Sequence, residues 1–359
     1  MKPFDKIIIN NTETRSLMGA DFAVVSLRCS VPMDPGYEFR FNGEPLEWHP
    51  VNRPDLRGGI SWFSVYLDLT KLPLKPDNRL SLVKGKPLAE VDLTISPAGI
   101  ARLSNIREAV DQKRVRLATI QKGGLSKNGK IYNIDPALHD PALRLKTDKV
   151  SAHPYAEKFI ANLDEIGPEE MVLDVGAGFR FKHHPNIVTL EIFDYPSTDV
   201  ISFGDAMPFR SKSFDYVYTN AVLEHVDNPF AVATEIGRVL KPGGKLYSSI
   251  PFLQVEHGYP FHYFNATRMG HRRLFENDFD IKDVSVGGAG HPWHIIMRSL
   301  GLLRSGLPQP ARDDFEKLTV GDILSGTYRQ WVDSPFGECS EEIMWRLAGS
   351  TVLIAEKKR

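Results

Sequence analysis

The chain has 359 residues, of which 42% are hydrophobic and 25% charged, so it is long enough for two domains with cores of their own. Its 44 basic and 45 acidic residues nearly cancel, which excludes a global field that attracts nucleic acid. Cys29 and Cys339 form no disulfide framework or metal motif, and no signal peptide or membrane span is evident, so we expect a cytoplasmic protein.

The first third of the chain predicts a β-rich domain. Its short β-type runs are separated by Gly, Pro and Asn, and Asn42-Gly43 is a typical hairpin turn. Short strands at this spacing favour a small antiparallel β-sandwich-like domain over residues 1–120. The predicted strands are Lys6–Ile9, Asp21–Arg28, Tyr37–Phe41, Ile60–Leu69, Arg79–Val83 and Ala89–Ile95.

A helix and a linker are predicted between this domain and the next. The helix covers Ala98–Ile120, and the composition of Gly123–Lys149, rich in Gly, Asn, Asp and Pro, is typical of a linker. Residues 121–165 are therefore expected to lead into a second domain over residues 166–359.

The most informative stretch is Met171-Val-Leu-Asp-Val-Gly-Ala-Gly-Phe179. Its first five residues suit a strand that is buried on both faces of a parallel sheet. Gly176 and Gly178 let the backbone turn sharply and approach a ligand, and the N–H groups exposed there can hold an anion. Asp174 at the end of the strand can accept hydrogen bonds from an ammonium or hydroxyl group, so the stretch predicts a ligand site.

Polar residues also follow the next predicted strands. Ile187–Phe193 carries Glu191 where a strand should end, and a carboxylate there is the usual partner of a ribose diol. Gly204–Phe209 is a polar turn with an acid, and Phe214–Asn220 reads as a buried strand with a polar end.

A helix and a fifth strand complete this pattern. Asn228 fits the N-cap and Pro229 the first turn of the helix, and apolar residues then recur at helical spacing. Lys241-Pro-Gly-Gly244 ends the helix, and Lys245–Ile250 resumes a strand.

The ordered motifs VLDVGAG, LEIFD, GDAMPF, SFDYVYTNAVLEHV and RVLKPGG resemble the class I S-adenosylmethionine-dependent methyltransferases, nearest to the type 11 group. The resemblance covers Met171–Phe252 and implies a doubly wound, Rossmann-like α/β sheet with S-adenosyl-L-methionine over the carboxyl ends of its first strands. By position it implies that Asp174, Gly176, Ala177 and Gly178 meet the methionine end, Glu191 the ribose, Asp205 and Ala206 the adenine, and Asn220 and His225 the region of the methyl group.

Two features depart from that family. Arg180 stands where a third glycine is usual, and the segments 178–187 and 194–199 are too short for full crossover helices. Either another part of the chain covers the sheet in place of these helices, or cofactor binding has weakened or been lost. A nicotinamide enzyme is disfavoured, because its G-x-G-x-x-G pattern needs glycine where this chain has Phe181.

The loop Pro251–Asn265 concentrates histidines and aromatic residues after the fifth strand, where ligands gather in doubly wound folds. It is similar to a loop in methyltransferases of bacterial surface-polysaccharide gene sets. His257 or His262, together with Tyr263, is the candidate catalytic group, because imidazole suits removal of a hydroxyl proton. The alternative is that both histidines bond to the backbone and shape the loop.

The resemblance implies that Phe279–Val286 and Ser350–Glu356 form the antiparallel pair that ends this fold in the family, separated by an insertion over residues 287–347. The insertion either covers the substrate pocket or contacts a second copy in a homo-oligomer. No histidine spacing demands a metal site, and none is predicted.

These patterns predict a methyltransferase that uses S-adenosylmethionine to methylate a hydroxyl of a small molecule or carbohydrate, with no nucleic-acid or membrane-spanning partner. Polysaccharide biosynthesis is the expected context. The alternatives are a non-catalytic, Rossmann-like protein that binds glycan or a protein partner, and a structural subunit that assembles through its N-terminal domain.

Overall fold

The structure is a computed structural model in which the chain forms two compact units. The first comprises residues 1–220 and 230–248, and the second residues 221–229 and 249–359. The predicted domain boundaries at residues 120 and 165 stay predictions. The structure describes residues 4–10, 22–29, 38–46, 49–51, 61–68, 75–94, 97–127, 129–134, 155–163, 165–180, 183–195, 197–258, 261–286 and 290–348.

The N-terminal strands of the first unit form two four-stranded antiparallel sheets, in the orders β1-β2-β6-β5 and β4-β3-β7-β8. The six predicted strands are confirmed within three residues at each end, whereas the three-residue strands β4 and β5 were not predicted. Face-to-face packing of the sheets as a sandwich stays a prediction. The strands are β1 Phe4–Asn10, β2 Phe22–Cys29, β3 Glu38–Phe41, β4 Glu44–Leu46, β5 His49–Val51, β6 Ser61–Asp68, β7 Asp77–Lys84 and β8 Lys86–Thr94.

A seven-stranded sheet carries the predicted ligand turns, in the order β15-β14-β11-β12-β13-β10-β9. The pairs β11–β14, β11–β12, β12–β13 and β10–β13 are parallel, and β9 is antiparallel to β10. A mostly parallel sheet of this kind fits the Rossmann-like α/β class predicted from the sequence. The strands are β9 Leu125–Lys127, β10 Lys130–Tyr132, β11 Val172–Val175, β12 Ile187–Glu191, β13 Val200–Ile201, β14 Phe214–Asn220 and β15 Leu240–Ser249.

The linker interpretation of Gly123–Lys149 is wrong for its first part. Strands β9 and β10 lie in that stretch, and β10 pairs in parallel with β13. Only one side chain of β10, Ile131, is buried, so the segment lacks the apolar run from which strands are predicted. Residues 135–149 lie outside the described residues.

The helix Pro97–Ile120 packs where a crossover helix would otherwise cover β12. Lys113 Nζ donates to Ile187 O (3.0 Å), and Arg116 Nη2 donates to Pro185 O (3.1 Å). Residues 183–186 and 192–195, which flank β12, contain no helix. The geometry therefore favours the interpretation that another part of the chain covers this part of the sheet.

The second unit is helical after residue 268. Residues 279–286 are described and form no strand, and residues 282–286 are exposed, so the strand predicted there is wrong. The other predicted partner, Ser350–Glu356, lies outside the described residues. The α-helices of the whole chain are Pro97–Ile120, Glu157–Leu163, Pro229–Val239, Arg268–Phe275, Pro292–Gly306, Ala311–Phe315, Val320–Ser325, Tyr328–Val332 and Glu341–Leu347. Among the described helices, none combines the length and apolar character needed to cross a membrane.

Candidate functional site

The glycine turn lies at the carboxyl end of β11, directly beside β12. Gly176 and Gly178 have φ angles of +66° and +59°, a region that side chains with a Cβ enter only with strain. The N–H groups of Gly176 and of buried Ala177 donate to Leu190 O at 2.9 and 3.1 Å. The turn is therefore held against the neighbouring strand by its own backbone.

Glu191 is the last residue of β12, and its side chain contacts the same glycine turn. Its Oε2 accepts a hydrogen bond from Gly178 N (2.8 Å), and its Oε1 accepts one from Ile192 N (2.7 Å). Burial raises the pKa of Glu191, and hydrogen bonds from the backbone of Gly178, Ile192 and Phe193 oppose that shift. The structure thus brings together the two elements from which a nucleoside site was predicted.

Asp174 is fully buried and committed to two neighbours. Arg180 Nε and Nη2 donate to its two oxygens at 2.8 and 3.1 Å, and Tyr155 Oη donates to Oδ2 at 2.9 Å. The Arg180 guanidinium also lies 4.1 Å from the centre of the Tyr155 ring. Burial raises the pKa of Asp174, and the charge of Arg180 offsets this in part.

Sequence reasoning noted Arg180 as a departure from the family but missed its pairing with Asp174. Tyr155 carried no signal, because it lies 19 positions before its partner in the chain. Burial raises the pKa of Tyr155 well above its usual value of 10.0, so its phenol is a hydrogen-bond donor at neutral pH.

Asp205 and Ala206 are exposed in the turn after β13 and line an open cleft of about 440 Å³ together with Lys122, Asn133 and Arg238. Ala206 O accepts a hydrogen bond from Asn133 Nδ2 (2.7 Å). Asn220, the last residue of β14, is half-buried. All these residues belong to the first unit.

A cluster of three histidines, His225, His257 and His262, lies in the second unit. Their ring centres are 4.4 Å apart for His257 and His262, 4.8 Å for His225 and His257, and 5.8 Å for His225 and His262. The loop predicted to carry the catalytic group therefore meets the turn that follows β14 in the chain. Tyr263 is exposed, and its backbone N–H donates to Glu224 O (2.7 Å).

The hydrogen bonds of this histidine cluster define its tautomers. Nδ1 of His225 lies 2.5 Å from Phe261 O and Nδ1 of His257 lies 3.0 Å from Val255 O, so each Nδ1 carries a proton and each Nε2 keeps its lone pair. In His262 both nitrogens are used, because Nδ1 accepts from His257 N and Nε2 donates to Phe264 O and Asn265 Oδ1. Burial lowers the pKa of His225 to about 4 and also lowers the pKa of His257.

Glu224, which sequence reasoning missed, lies beside this cluster. Its side chain is 0% exposed, and neither carboxylate oxygen accepts a hydrogen bond from another residue that the structure describes. Burial raises its pKa to about 7. The only sequence signal was its place in the motif LEHV, next to a histidine.

The residues of the first unit fit S-adenosylmethionine with one change. A carboxylate offers about four positions that can accept a hydrogen bond. In Glu191 three of these positions are taken by backbone N–H groups, so one remains for a ribose hydroxyl. The one change concerns the methionine end, where Asp174 is paired with Arg180. The site therefore offers that end a guanidinium in addition to the predicted carboxylate. A guanidinium suits the carboxylate of that end.

Residues 187–248 match the model of a family described as "Methyltransferase domain". The match runs from β12 into β15 and includes Glu191, Asp205, Asn220 and His225. It identifies a methyltransferase domain in this part of the chain, and S-adenosylmethionine is the methyl donor of that class. The polysaccharide resemblance finds no counterpart in the match.

A stretch of 51 residues is 41% identical to an uncharacterised protein of Methanocaldococcus jannaschii, covering 14% of this chain and 25% of that protein. The chain thus matches about a quarter of the length of this curated relative.

Among solved structures, an S-adenosylmethionine-dependent methyltransferase of Mesorhizobium loti is 14% identical, with a TM-score of 0.31 over 40% of this chain and 90% of that chain. Phosphoethanolamine N-methyltransferase 2 of Haemonchus contortus with S-adenosylmethionine is 13% identical, with a TM-score of 0.29 over 85% of this chain and 67% of that chain.

Proposed function

We propose that this protein transfers the methyl group of S-adenosylmethionine to a hydroxyl of a small molecule or a carbohydrate. The observation that carries the proposal is the contact of Glu191 with Gly178 at the carboxyl ends of two adjacent parallel strands. The family match over residues 187–248 supports the same activity. Bacterial surface-polysaccharide synthesis in the cytoplasm is the context that we propose for it.

The residues of the turn and of the strand ends would bind and orient the donor. Glu191 would accept a ribose hydroxyl, Gly176 and Gly178 would let the donor approach the backbone, and Arg180 would face its carboxylate. Asp205 and Ala206 would border the adenine, and Asn220 the region of the methyl group. When bound, S-adenosylmethionine supplies a methyl group on a sulfonium that is ready for in-line displacement. Restraining two reactants in line contributes up to about 7–11 kcal/mol to such a reaction.

The proton of the acceptor hydroxyl would be taken up at the histidine cluster. Of the three predicted catalytic residues, His257 keeps a lone pair on Nε2, whereas both ring nitrogens of His262 are hydrogen-bonded. Tyr263 is exposed and would contact the acceptor. We therefore favour His257 for this role.

The first test is calorimetric titration of the purified protein with S-adenosylmethionine. One molecule should bind per chain, and Glu191→Ala should weaken binding by about 1.5–3 kcal/mol, the value of a hydrogen bond to a charged group. Glu169→Ala, which removes an exposed carboxylate before β11, is the matched control and should bind normally. Equal affinity in a folded Glu191→Ala protein would remove this residue from the site.

The second test measures transfer of labelled methyl groups to a panel of hydroxylated small molecules and sugars. His257→Gln should keep donor affinity and lose about 10²–10⁴-fold in turnover with the acceptor that reacts. Loss of donor affinity in this variant would instead mark a residue that maintains the fold.

One observation favours a second candidate function, a non-catalytic protein that binds glycan or a protein partner. Asp174, expected at the methionine end, has both carboxylate oxygens bonded to Arg180 and one also to Tyr155. If Asp174, Arg180 and Tyr155 block the site for the methionine end, calorimetry of the unchanged protein will show no binding of S-adenosylmethionine. The first titration therefore separates the two functions.

A further inference from the structure

The second unit buries a carboxylate that no described residue satisfies. Neither oxygen of Glu224 accepts a hydrogen bond from another residue that the structure describes, although the side chain is 0% exposed. An ionised carboxylate without a partner is costly to bury, and buried charges in proteins are usually paired or coordinate a metal. His225 Nε2 lies 3.9 Å from Glu224 Oε1, too far for a hydrogen bond and close enough to share a third group.

The two neighbouring imidazoles are oriented as metal ligands are. Both His225 and His257 donate from Nδ1 to a backbone carbonyl, Phe261 O and Val255 O respectively. Histidines that bind a metal almost always donate their other ring N–H to a carbonyl, a carboxylate or water, which fixes the tautomer and the ring. Each of these rings is therefore left with an Nε2 lone pair.

Backbone hydrogen bonds hold the three side chains together. Glu224 and His225 are consecutive in the 3₁₀ turn Leu223–His225, and Glu224 O accepts hydrogen bonds from Tyr263 N (2.7 Å) and Phe264 N (3.3 Å). The loop that carries His257 is thereby tied to the turn that carries the other two groups. A site supported in this way loses little conformational freedom when an ion binds.

We propose that Glu224, His225 and His257 bind one divalent transition-metal ion. One ligand atom from each of these residues lies within 4.8 Å of the other two. Zinc binds imidazole nitrogen and carboxylate oxygen at about 2.0–2.2 Å, so two ligand atoms on one ion are at most about 4 Å apart. The three groups therefore need to move inward by only about 1 Å.

The ligand types select the class of ion. Imidazole suits zinc, iron, copper and nickel, whereas magnesium and calcium prefer oxygen ligands. Two histidines and one carboxylate also leave coordination positions open, as catalytic zinc sites do. His262 is not a ligand, because both of its ring nitrogens are hydrogen-bonded.

The use of the ion in catalysis rests on the proposed function. An open position on the ion is where a hydroxyl oxygen of the acceptor would bind, and a bound cation lowers the pKa of such a hydroxyl, so that its proton can pass to water. With the ion bound, the Nε2 lone pair of His257 is a ligand, and the ion takes the place of His257 in activating the hydroxyl. The proposal then narrows the acceptor to a molecule whose reacting hydroxyl can reach a metal.

The test is calorimetric titration of chelator-treated full-length protein with zinc chloride, in the absence of S-adenosylmethionine. One ion should bind per chain, and cobalt(II) in its place should give visible absorption bands of a site with nitrogen and oxygen ligands. Glu224→Gln and His257→Gln should each lower zinc affinity by at least about 10–100-fold, the loss produced by changes in supporting residues alone. His294→Gln, an exposed histidine of the same unit, should bind zinc as the unchanged protein does.

Circular dichroism of each variant checks that it is folded, and Glu224→Gln, which keeps the shape of the side chain, decides the outcome if His257→Gln unfolds. Zinc binding of equal strength in the unchanged protein and in Glu224→Gln would overturn the site, as would the absence of binding. S-adenosylmethionine binding is measured separately, so failure of the metal site leaves the proposed function standing with His257 as the base.

Discussion

At the residue scale, the pairing of Asp174 with Arg180 has a measurable consequence for stability. In Arg180→Met, the buried carboxylate of Asp174 would keep Tyr155 as its one partner among the described side chains. Breaking a buried ion pair by removing one partner typically costs about 3–5 kcal/mol. We expect a loss of this size in the free energy of unfolding by urea, and a change within about 0.5 kcal/mol for the exposed Arg210→Met.

A loss below about 1 kcal/mol in Arg180→Met would contradict this account. It would mean that Asp174 is already neutral in the folded protein. Arg180→Lys separates charge from geometry, because lysine keeps the charge but lacks the bidentate fork and the flat face that lies over Tyr155.

Gly178 offers a second test at this scale, because strain and donor binding can be separated there. Gly178→Val places a β-branched residue at a φ of +59°, which costs at least about 1–2 kcal/mol, and adds bulk beside Glu191. Gly243→Val is the matched control, since Gly243 has a φ of +78° and, apart from its chain neighbours, no described residue has an atom within 4 Å of the position that a Cβ would take. We expect both variants to lose stability and Gly178→Val alone to lose S-adenosylmethionine binding by calorimetry.

If Gly178→Val bound the donor with normal affinity, the turn would serve the fold and not the ligand. Loss of binding in both variants would point to a general loss of structure, which circular dichroism would reveal.

At the scale of elements, the buried pair Lys113–Asp199 joins the helix Pro97–Ile120 to the sheet. Lys113 is 2% exposed, and its Nζ lies 2.6 Å from Asp199 Oδ2. Asp199→Asn would leave the ammonium buried without its counter-ion, so we expect a loss of about 3–5 kcal/mol at pH 7. The double variant Lys113→Met/Asp199→Asn should recover most of it, because no buried charge remains. Urea unfolding measures both, and a double variant as unstable as Asp199→Asn would contradict this assignment.

The same pair makes stability depend on acidity. Burial alone would raise the pKa of Asp199, but Lys113 and the N–H of Thr189 hold it below its ordinary value of 3.8. A carboxyl with a depressed pKa in the folded state contributes stability that is fully present above 3.8 and is lost as pH falls through the folded pKa. The difference in unfolding free energy between the unchanged protein and Asp199→Asn should therefore be constant from pH 7 to about 5 and shrink below about pH 4. A difference that grew on acidification would be incompatible with a depressed pKa.

Sequence patterns predicted the elements whose burial is periodic or continuous. Strand β14 was predicted to the residue, because Phe214–Asn220 is almost wholly buried between turn signals. Strands β9 and β10 were not predicted, because three exposed residues and one buried isoleucine show no periodicity, and the pairing of β10 with β13 joins segments that are far apart in the chain. Residues 279–286 were predicted as a strand from the family resemblance, yet residues 282–286 are exposed, since β-type residues form a strand only where a partner strand exists.

The candidate site shows the same division. The contact of Gly178 with Glu191 was predictable, because Gly178 follows β11, Glu191 ends β12, and these two strands are parallel neighbours. The approach of Tyr155 to Asp174, and of Glu224 and His225 to His257, depends on how distant loops fold back. Such contacts leave no trace in local spacing.

At the scale of the whole molecule, the helix Pro97–Ile120 packs against the seven-stranded sheet, although it directly follows the strands of the N-terminal sheets in the chain. Besides the Lys113 pair, Lys122 N donates to Pro208 O (2.9 Å) and Arg210 N donates to Ile120 O (2.8 Å). Leu103, Val110 and Leu117 are buried along the helix. A protein cut after residue 120 would therefore lose part of the core of its sheet.

This arrangement predicts how two truncated proteins differ. Removing residues 1–94 should leave a chain that unfolds cooperatively, whereas removing residues 1–120 should abolish cooperative unfolding. The reason is that the second deletion leaves Asp199 buried without Lys113, at about 3–5 kcal/mol, and uncovers apolar side chains worth about 1.5–3 kcal/mol each. These losses together approach the total stability of about 5–15 kcal/mol that a folded protein has.

Thermal unfolding followed by circular dichroism measures both proteins, and hydrogen exchange at β12 shows whether the sheet stays protected. If the two proteins melted at the same temperature with equal protection of β12, the helix would be an appendage of the N-terminal sheets, and the short connections of the main sheet would need another cover.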